Sequence, residues 1–280
     1  MDYLRGLLGL AVFILVALLF SNNRKHIDWR LVAIGLVLQM LFGFLVLEVE
    51  LVRNGFERVS EGFVVFLDFS RSGAEFLFGS LTNSKDFGFI FAFQVLPTII
   101  FFSTVSAALY YLGILQKIVF VIAWVMARTM RLSGTESLSA AGNIFLGQTE
   151  APLLIRPFIK NMTKSELNCL MTGGMATLAG GVLAGYVSYL GGDDPVERAR
   201  FASYLLSASI MNAPAAIVMS KILFPEAEPE KIDRSLQVSK ESLGVNVIDA
   251  MSTGAAEGLK LALNVGGMLL AFIAVIALFN

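Results

Sequence analysis

Six long apolar runs decide what this chain can fold into. They occupy residues 6–20, 31–47, 87–115, 168–190, 202–222 and 261–279. A bilayer's hydrocarbon core takes about 20 mostly apolar residues per spanning helix. Inside that core every backbone N–H and C=O must be bonded within the protein, so only helices and closed barrels cross it. Composition agrees: 15% of the residues are charged and 56% hydrophobic, with a mean hydropathy of +0.74, against about 25% charged in an ordinary soluble domain. The expected fold is all-α: a polytopic membrane protein with a re-entrant helical hairpin, interfacial amphipathic helices and discontinuous helices, seated in the lipid bilayer.

The same composition removes several functional classes. A net charge of −1 argues against nucleic acid as a partner. Zinc sites need several Cys or His ligands, and the chain has only Cys169 and His26. His26 reads as a solvated loop residue and Cys169 as a buried apolar filler. The first run is preceded by acidic Asp2 and followed by no small-residue cleavage site, so it reads as a true span rather than a secretory signal.

Loop charge gives an orientation. Arg24, Lys25 and Arg30 outnumber Asp28 between the first two runs, and short basic loops stay on the cytoplasmic side. Counting onward, 87–115 runs inward. The next segment then begins and ends on one side, with Lys117, Arg128 and Arg131 before it and Arg156, Lys160 and Lys164 after it. A hairpin that enters and leaves by one face has this charge pattern. The acidic loop around Asp193, Asp194 and Glu197 falls outside, and 225–257 falls in the cytoplasm. Between Glu48 and Asp86, Phe56, Val59, Phe63 and Phe66 recur at helical spacing opposite Arg53, Glu57, Arg58 and Glu61. This is an amphipathic helix along the interface, or alternatively a soluble helix packed on the outer surface. Residues 232–248 carry a weaker pattern of the same kind.

The polar island Gly147-Gln148-Thr149-Glu150-Ala151-Pro152 interrupts this apolar chain. A carboxylate at bilayer depth costs about 2.5–3.5 kcal/mol or more and persists where it has a partner or a function. Residues 117–164 read as a re-entrant hairpin with the island at its tip; an ordinary cytoplasmic loop is the plain alternative, which both apolar arms oppose. Pro152 suits the first turn of the return arm, and Glu150 then sits at a positive helix end. The following run contains Thr172-Gly173-Gly174-Met175-Ala176-Thr177-Leu178-Ala179-Gly180-Gly181. Glycine weakens a helix interior by about 1 kcal/mol relative to alanine. An unwound turn whose carbonyls and Thr177 hydroxyl hold sodium and close helix packing through small residues are equal readings here. Asn212-Ala213-Pro214 in the next run reads as a proline kink.

At this point the chain resembles the concentrative nucleoside transporters. The likeness runs through Phe91-Ala92-Phe93-Gln94-Val95-Leu96-Pro97, Leu109-Tyr110-Tyr111-Leu112-Gly113, Glu136-Ser137-Leu138, Asn143-Ile144-Phe145, the Gly147–Pro152 signature and Met162-Thr163-Lys164-Ser165-Glu166-Leu167. It covers nearly the whole chain. The resemblance implies a plasma-membrane homotrimer in which a cation gradient drives nucleoside import. By motif position it implies that Gln148, Thr149 and Glu150 contact the base of a uridine-like nucleoside and that Val182 packs against it. A uracil edge offers carbonyl acceptors and one N–H, which an amide and a hydroxyl can match. For sodium it points to carbonyls of Asn143, Leu146, Thr177 and Leu178, plus the Thr177 hydroxyl.

The resemblance also gives an organisation: scaffold spans and the interfacial helix over 1–115, a first transport repeat over 116–224 (hairpin 117–164, broken span 166–191, span 201–223), then a connecting helix and scaffold span over 225–280. Family members continue with a second hairpin and two more spans that complete the site. The chain is therefore expected to be the first half of an inverted-repeat transporter, lacking the second repeat. Sodium-coupled symport by alternating access is the leading function, with proton coupling or a non-transporting membrane subunit as alternatives. An enzyme using Glu136 and Glu150 as an acid–base pair is set aside, because no metal motif, activated nucleophile or phosphate loop accompanies them.

Overall fold

The computed structural model describes residues 2–148, 151–192, 194–238 and 244–279. The described residues are helical or irregular, without strands. In chain order the helices are α1 (Asp2–Leu19), α2 (Trp29–Glu48), α3 (Glu50–Phe78), the short α4 (Ser84–Phe87) and α5 (Phe91–Gln94), α6 (Leu96–Tyr111), α7 (Ile114–Met130), α8 (Gly134–Gly142), α9 (Lys164–Ala176), α10 (Gly180–Gly191), α11 (Pro195–Leu223) and α12 (Val247–Phe279). A 3-10 helix, Ala151–Asn161, separates α8 from α9. Among the described residues, five stretches are long and apolar enough to cross a membrane: Trp29–Glu48, Phe91–Tyr111, Lys164–Gly191, Pro195–Leu223 and Val247–Phe279.

The chain divides into two compact units. The first comprises residues 1–48, 116–179 and 208–240, the second 49–115, 180–207 and 241–280. α11 gives one half to each.

In the first unit α8, the 3-10 segment and α9 pack together, around Leu138, Ala141, Leu154 and Ile155, all fully buried. Two capping boxes start the helices of this unit. Ser133 Oγ accepts from Glu136 N while Glu136 Oε2 accepts from Ser133 N, and Thr163 with Glu166 repeats the arrangement before α9. Each box satisfies N–H groups that a helix start leaves open. The first arm of the expected hairpin is two helices rather than one. α7 ends at Met130, Arg131 takes a left-handed φ of 56°, and α8 restarts at its own cap.

In the second unit α12 lies along α6 on a seam of small residues, Ala250, Gly254, Gly258 and Ala262, all buried. A Cβ on Gly254 would stand 2.6 Å from Ala107 Cβ, and one on Gly258 would stand 2.9 Å from Ile100 Cα. Where lipid is the solvent, such close backbone approach is what helix pairs use in place of the hydrophobic effect. The other side of α12 exposes Leu263, Leu270, Phe272 and Ile273. Gly185 of α10 packs likewise against Val95, whose methyl a Cβ would meet at 2.9 Å.

Four features differ from the sequence reading. The buried stripe of α3 is Ser60, Val64, Leu67, Ser70 and Ala74, while Val59 is exposed and Phe63 and Phe66 are half-buried. The small residues allow approach, and the phenyl rings flank the seam, with Phe66 4.9 Å from Phe101 and Phe63 6.2 Å from Phe102. The last span starts at Val247 rather than 261. The amphipathic helix expected over 232–248 is absent from its described residues before Val247. There Asp233 Oδ1 accepts from Ser235 N, and Asp233 O accepts from Gly134 N, and such local bonds compete with helix formation. α11 begins at Pro195, well before 202, because Asp194 Oδ1 accepts from Val196 N and the buried Arg198 pairs with Asp68 of α3.

Candidate functional site

After α8 the chain turns through residues 143–148. Leu146 N donates to Gly142 O at 2.8 Å, and Ala151 N to Gly147 O at 2.9 Å. This turn packs on α9 at its paired glycines. A Cβ on Gly173 would lie 2.9 Å from Asn143 Nδ2, and one on Gly174 would lie 2.8 Å from Gln148 Cβ. The glycines are thus helical and serve close approach. The unwinding comes three residues later, at Thr177, Leu178 and Ala179. Thr177 is extended (φ −109°, ψ 157°), and α10 resumes at Gly180.

Asn143 is the most informative side chain. It is 1% exposed, and neither its Oδ1 nor its Nδ2 has a hydrogen-bond partner. Ser139, one turn earlier on the same helix face, is as deeply buried with an unpartnered hydroxyl. Buried polar groups are overwhelmingly hydrogen-bonded in folded proteins, and an unmet one costs about 1–3 kcal/mol. Three unmet atoms within one turn of helix concentrate unsatisfied polarity in one buried place. Thr177 Oγ1 donates its hydrogen to Gly173 O at 2.8 Å. That leaves the oxygen lone pairs as what it can offer a ligand, and lone pairs suit a cation.

Of the sequence-derived residues, Asn143, Leu146, Gln148, Thr177 and Leu178 all belong to the first unit. Leu146 is buried and Gln148 is exposed against Gly174. Val182 is half-buried on α10, in the second unit. Thr149 and Glu150 lie outside the described residues.

The sequence reading gives Glu136, Thr163 and Glu166 only as motif residues or an acid–base candidate and does not include Lys221 or the bonds that hold this region. Lys221 of α11 is buried and pairs with the equally buried Glu136 of α8. Its Nζ also donates to Ser165 Oγ at 2.9 Å and lies 3.9 Å from Glu226 Oε2. Glu226 accepts from Thr163 Oγ1 at 2.7 Å, and Thr135 Oγ1 donates to Glu166 at 3.0 Å. These bonds join α8, the start of α9 and the end of α11. Two signals were available: a lysine inside an apolar run, which membrane energetics makes expensive without a partner, and the Ser/Thr-x-x-Glu spacing of both capping boxes.

The comparisons with known proteins agree with this architecture. Residues 8–81 match the family model described as Na+ dependent nucleoside transporter N-terminus, 204–280 match the corresponding C-terminus model, and 92–193 match one described as nucleoside recognition. An uncharacterized transporter of Bacillus subtilis, YutK, is 44% identical over 281 residues, covering 100% of this chain and 67% of that protein. The human sodium/nucleoside cotransporter 1 is 45% identical over 276 residues, 97% of this chain but 40% of the relative. An uncharacterized transporter of Haemophilus influenzae is 43% identical and 65% covered. The chain thus spans between two fifths and two thirds of the length of these relatives. A solved structure of CNTnw in an inward-facing substrate-bound state superposes with a TM-score of 0.91 at 42% identity, covering 100% of this chain and 67% of that one. With several membrane-length helices the chain is a multi-pass plasma-membrane protein. It belongs to the Na+ dependent nucleoside transporter family.

Proposed function

We propose that the protein containing this chain imports nucleosides by sodium-coupled symport, and that the turn 143–148 together with the α9 break supplies the cation site and the base-recognising part of the solute site. The single observation that carries this is the Asn143 amide: buried, unpartnered at both atoms and pressed against Gly173. The Asn143 side-chain oxygen adds to the backbone carbonyls of Asn143, Leu146, Thr177 and Leu178 and the Thr177 hydroxyl, a hard-oxygen donor set of the kind that broken membrane helices offer to sodium. Gln148, exposed at the same turn, presents a donor and an acceptor to the edge of a base. The family resemblance assigns Thr149 and Glu150 to the base as well, and Val182 to its apolar face. Where a cation and a solute bound in one region raise each other's affinity, the two move together, and the sodium gradient then drives uphill import without covalent chemistry.

The test is uptake of labelled uridine by proteoliposomes holding the full-length protein. An inward sodium gradient should raise initial uptake many-fold over a choline control. Equal uptake with and without sodium rejects the reading. Assembly as a homotrimer, implied by the family resemblance, is tested by light scattering on the detergent-solubilised full-length protein, where a one-copy mass would reject it.

A further inference from the structure

We propose that one turn of α11, Ser209 to Asn212, sets the geometry of the cation site without touching the ion, so that both residues are positioning residues for sodium. The proposal rests on the sodium-coupled reading above. Ser209 Oγ, fully buried, donates to Ile144 O at 2.9 Å, and Asn212 Nδ2 donates to Ala176 O at 3.0 Å. Residues three apart lie on one helix face. Each of the two donors therefore grips the residue beside a proposed ligand. Ile144 adjoins Asn143, and Ala176 adjoins Thr177. The two gripped segments come from different parts of the hairpin and α9, and they approach each other at Asn143 and Gly173.

Peptide planarity makes such grips effective. A carbonyl pinned by a fixed donor fixes its whole peptide plane and so constrains the planes on either side: the preceding one, which carries the Asn143 carbonyl, for Ile144, and the following one, which carries the Thr177 carbonyl, for Ala176. Asn212 has a second effect. The last carbonyls of a helix have no partner within it, and the amide takes up the one on Ala176. This holds the end of α9 at that residue, so that Thr177 and Leu178 leave the helix rather than continue it. The gripping turn is itself well anchored. Beyond it Ala213, Ala216, Ile217, Val218 and Ile222 are buried. Farther along, Ser220 accepts from Asn168 Nδ2 at 2.9 Å and Lys221 pairs with Glu136. α11 thus carries a polar stripe along which hairpin and α9 are held in register. A site a fraction of an ångström too loose binds its ion poorly even when every ligand is present.

The experiment uses the full-length protein in detergent, with wild type, Ser209→Ala, Ser209→Thr, Asn212→Ala and Ser207→Ala in parallel. Ser207 Oγ bonds only within its own helix, to Ser203 O, and serves as control. Melting temperature is followed as NaCl replaces choline chloride at constant ionic strength, which gives a sodium midpoint without transport. Loss of one hydrogen bond should raise that midpoint about 3–10-fold in Ser209→Ala and Asn212→Ala. Ser209→Thr, which keeps the hydroxyl, and Ser207→Ala should match wild type. In proteoliposomes at saturating sodium, the KM for uridine should be unchanged in both alanine variants. Unaltered sodium midpoints in folded Ser209→Ala and Asn212→Ala overturn the positioning role. So does a rise in uridine KM with an unchanged sodium midpoint. If Asn212→Ala fails to fold, the Ser209 pair alone decides. Wild type that sodium does not stabilise would sink the sodium reading itself, and the positioning role with it.

Discussion

Glycines at Gly173–Gly174 and at Gly254 and Gly258 answer the same need, close approach, yet they build opposite kinds of surface. Along α12 each glycine receives the backbone of α6, with Ser103, Ile100 and Ala107 filling the space a side chain would take. That seam is closed. On α9 the visitor is an irregular turn, and it brings the Asn143 amide and Gln148. There the packing is just as tight, but polar atoms stay unmet within it. Where the approaching element is a helix, its backbone bonds are already made, and the contact can only be structural. Where it is a turn, backbone and side-chain oxygens are left over, and the contact can hold a ligand. The same residue type therefore marks scaffold in one place and site in the other.

That contrast can be broken experimentally. The largest stability loss is expected from Lys221→Met, which strands the Glu136 carboxylate; removing one partner of a buried pair costs about 3–5 kcal/mol. Lys221→Met with Glu136→Gln should recover most of it in a thermal or denaturant melt, because the carboxylate then left without Lys221 is only Glu226, which is partly exposed and still accepts from Thr163. Next comes Gly258→Leu, which drives a side chain into Ile100 and Ser103. Overpacking of this kind costs about 1–3 kcal/mol, sometimes more. Gly267→Ala, whose added Cβ meets nothing within 4 Å, should melt like wild type or up to about 1 kcal/mol more stably, because alanine is the better helix former. If the two variants behaved alike, the closed seam would be an illusion. Ser133→Ala removes one half of a capping box and should cost about 1 kcal/mol. The smallest effect on folding belongs to Asn143→Ala. It deletes an unmet amide, so sodium-free stability should hold or rise slightly, while sodium-dependent stabilisation disappears. An Asn143→Ala protein that unfolds readily without sodium yet still responds to it would show that the amide serves packing after all.

Much of this was legible beforehand, unevenly. The break before Gly180 was half-read: a polar, small-residue stretch inside an apolar run announces trouble for a helix, but the glycines turned out helical and Thr177 to Ala179 did not. Weak amphipathicity over 232–248 misled, because the bonds of Asp233 with Ser235 and Gly134 outweigh a faint periodic pattern. The buried face of α3 was shifted because aromatic periodicity marks where bulk sits, whereas backbone approach follows Ser60, Ser70 and Ala74. Ser209 carries no pattern of its own, and Lys221, conspicuous inside an apolar run, does not by itself say which residue it meets.

Residue order alone determined that the chain spans membranes as helices, where most of those helices run, and which polar island interrupts them, since a bilayer imposes length and apolarity on each segment separately. Tertiary structure decided which of the buried polar groups are satisfied and which are held open. Lys221 and Glu136 neutralise each other, while Asn143 is left without a partner. That distinction depends on contacts between residues 65 to 85 positions apart in the chain and so on packing, which local sequence preferences do not encode.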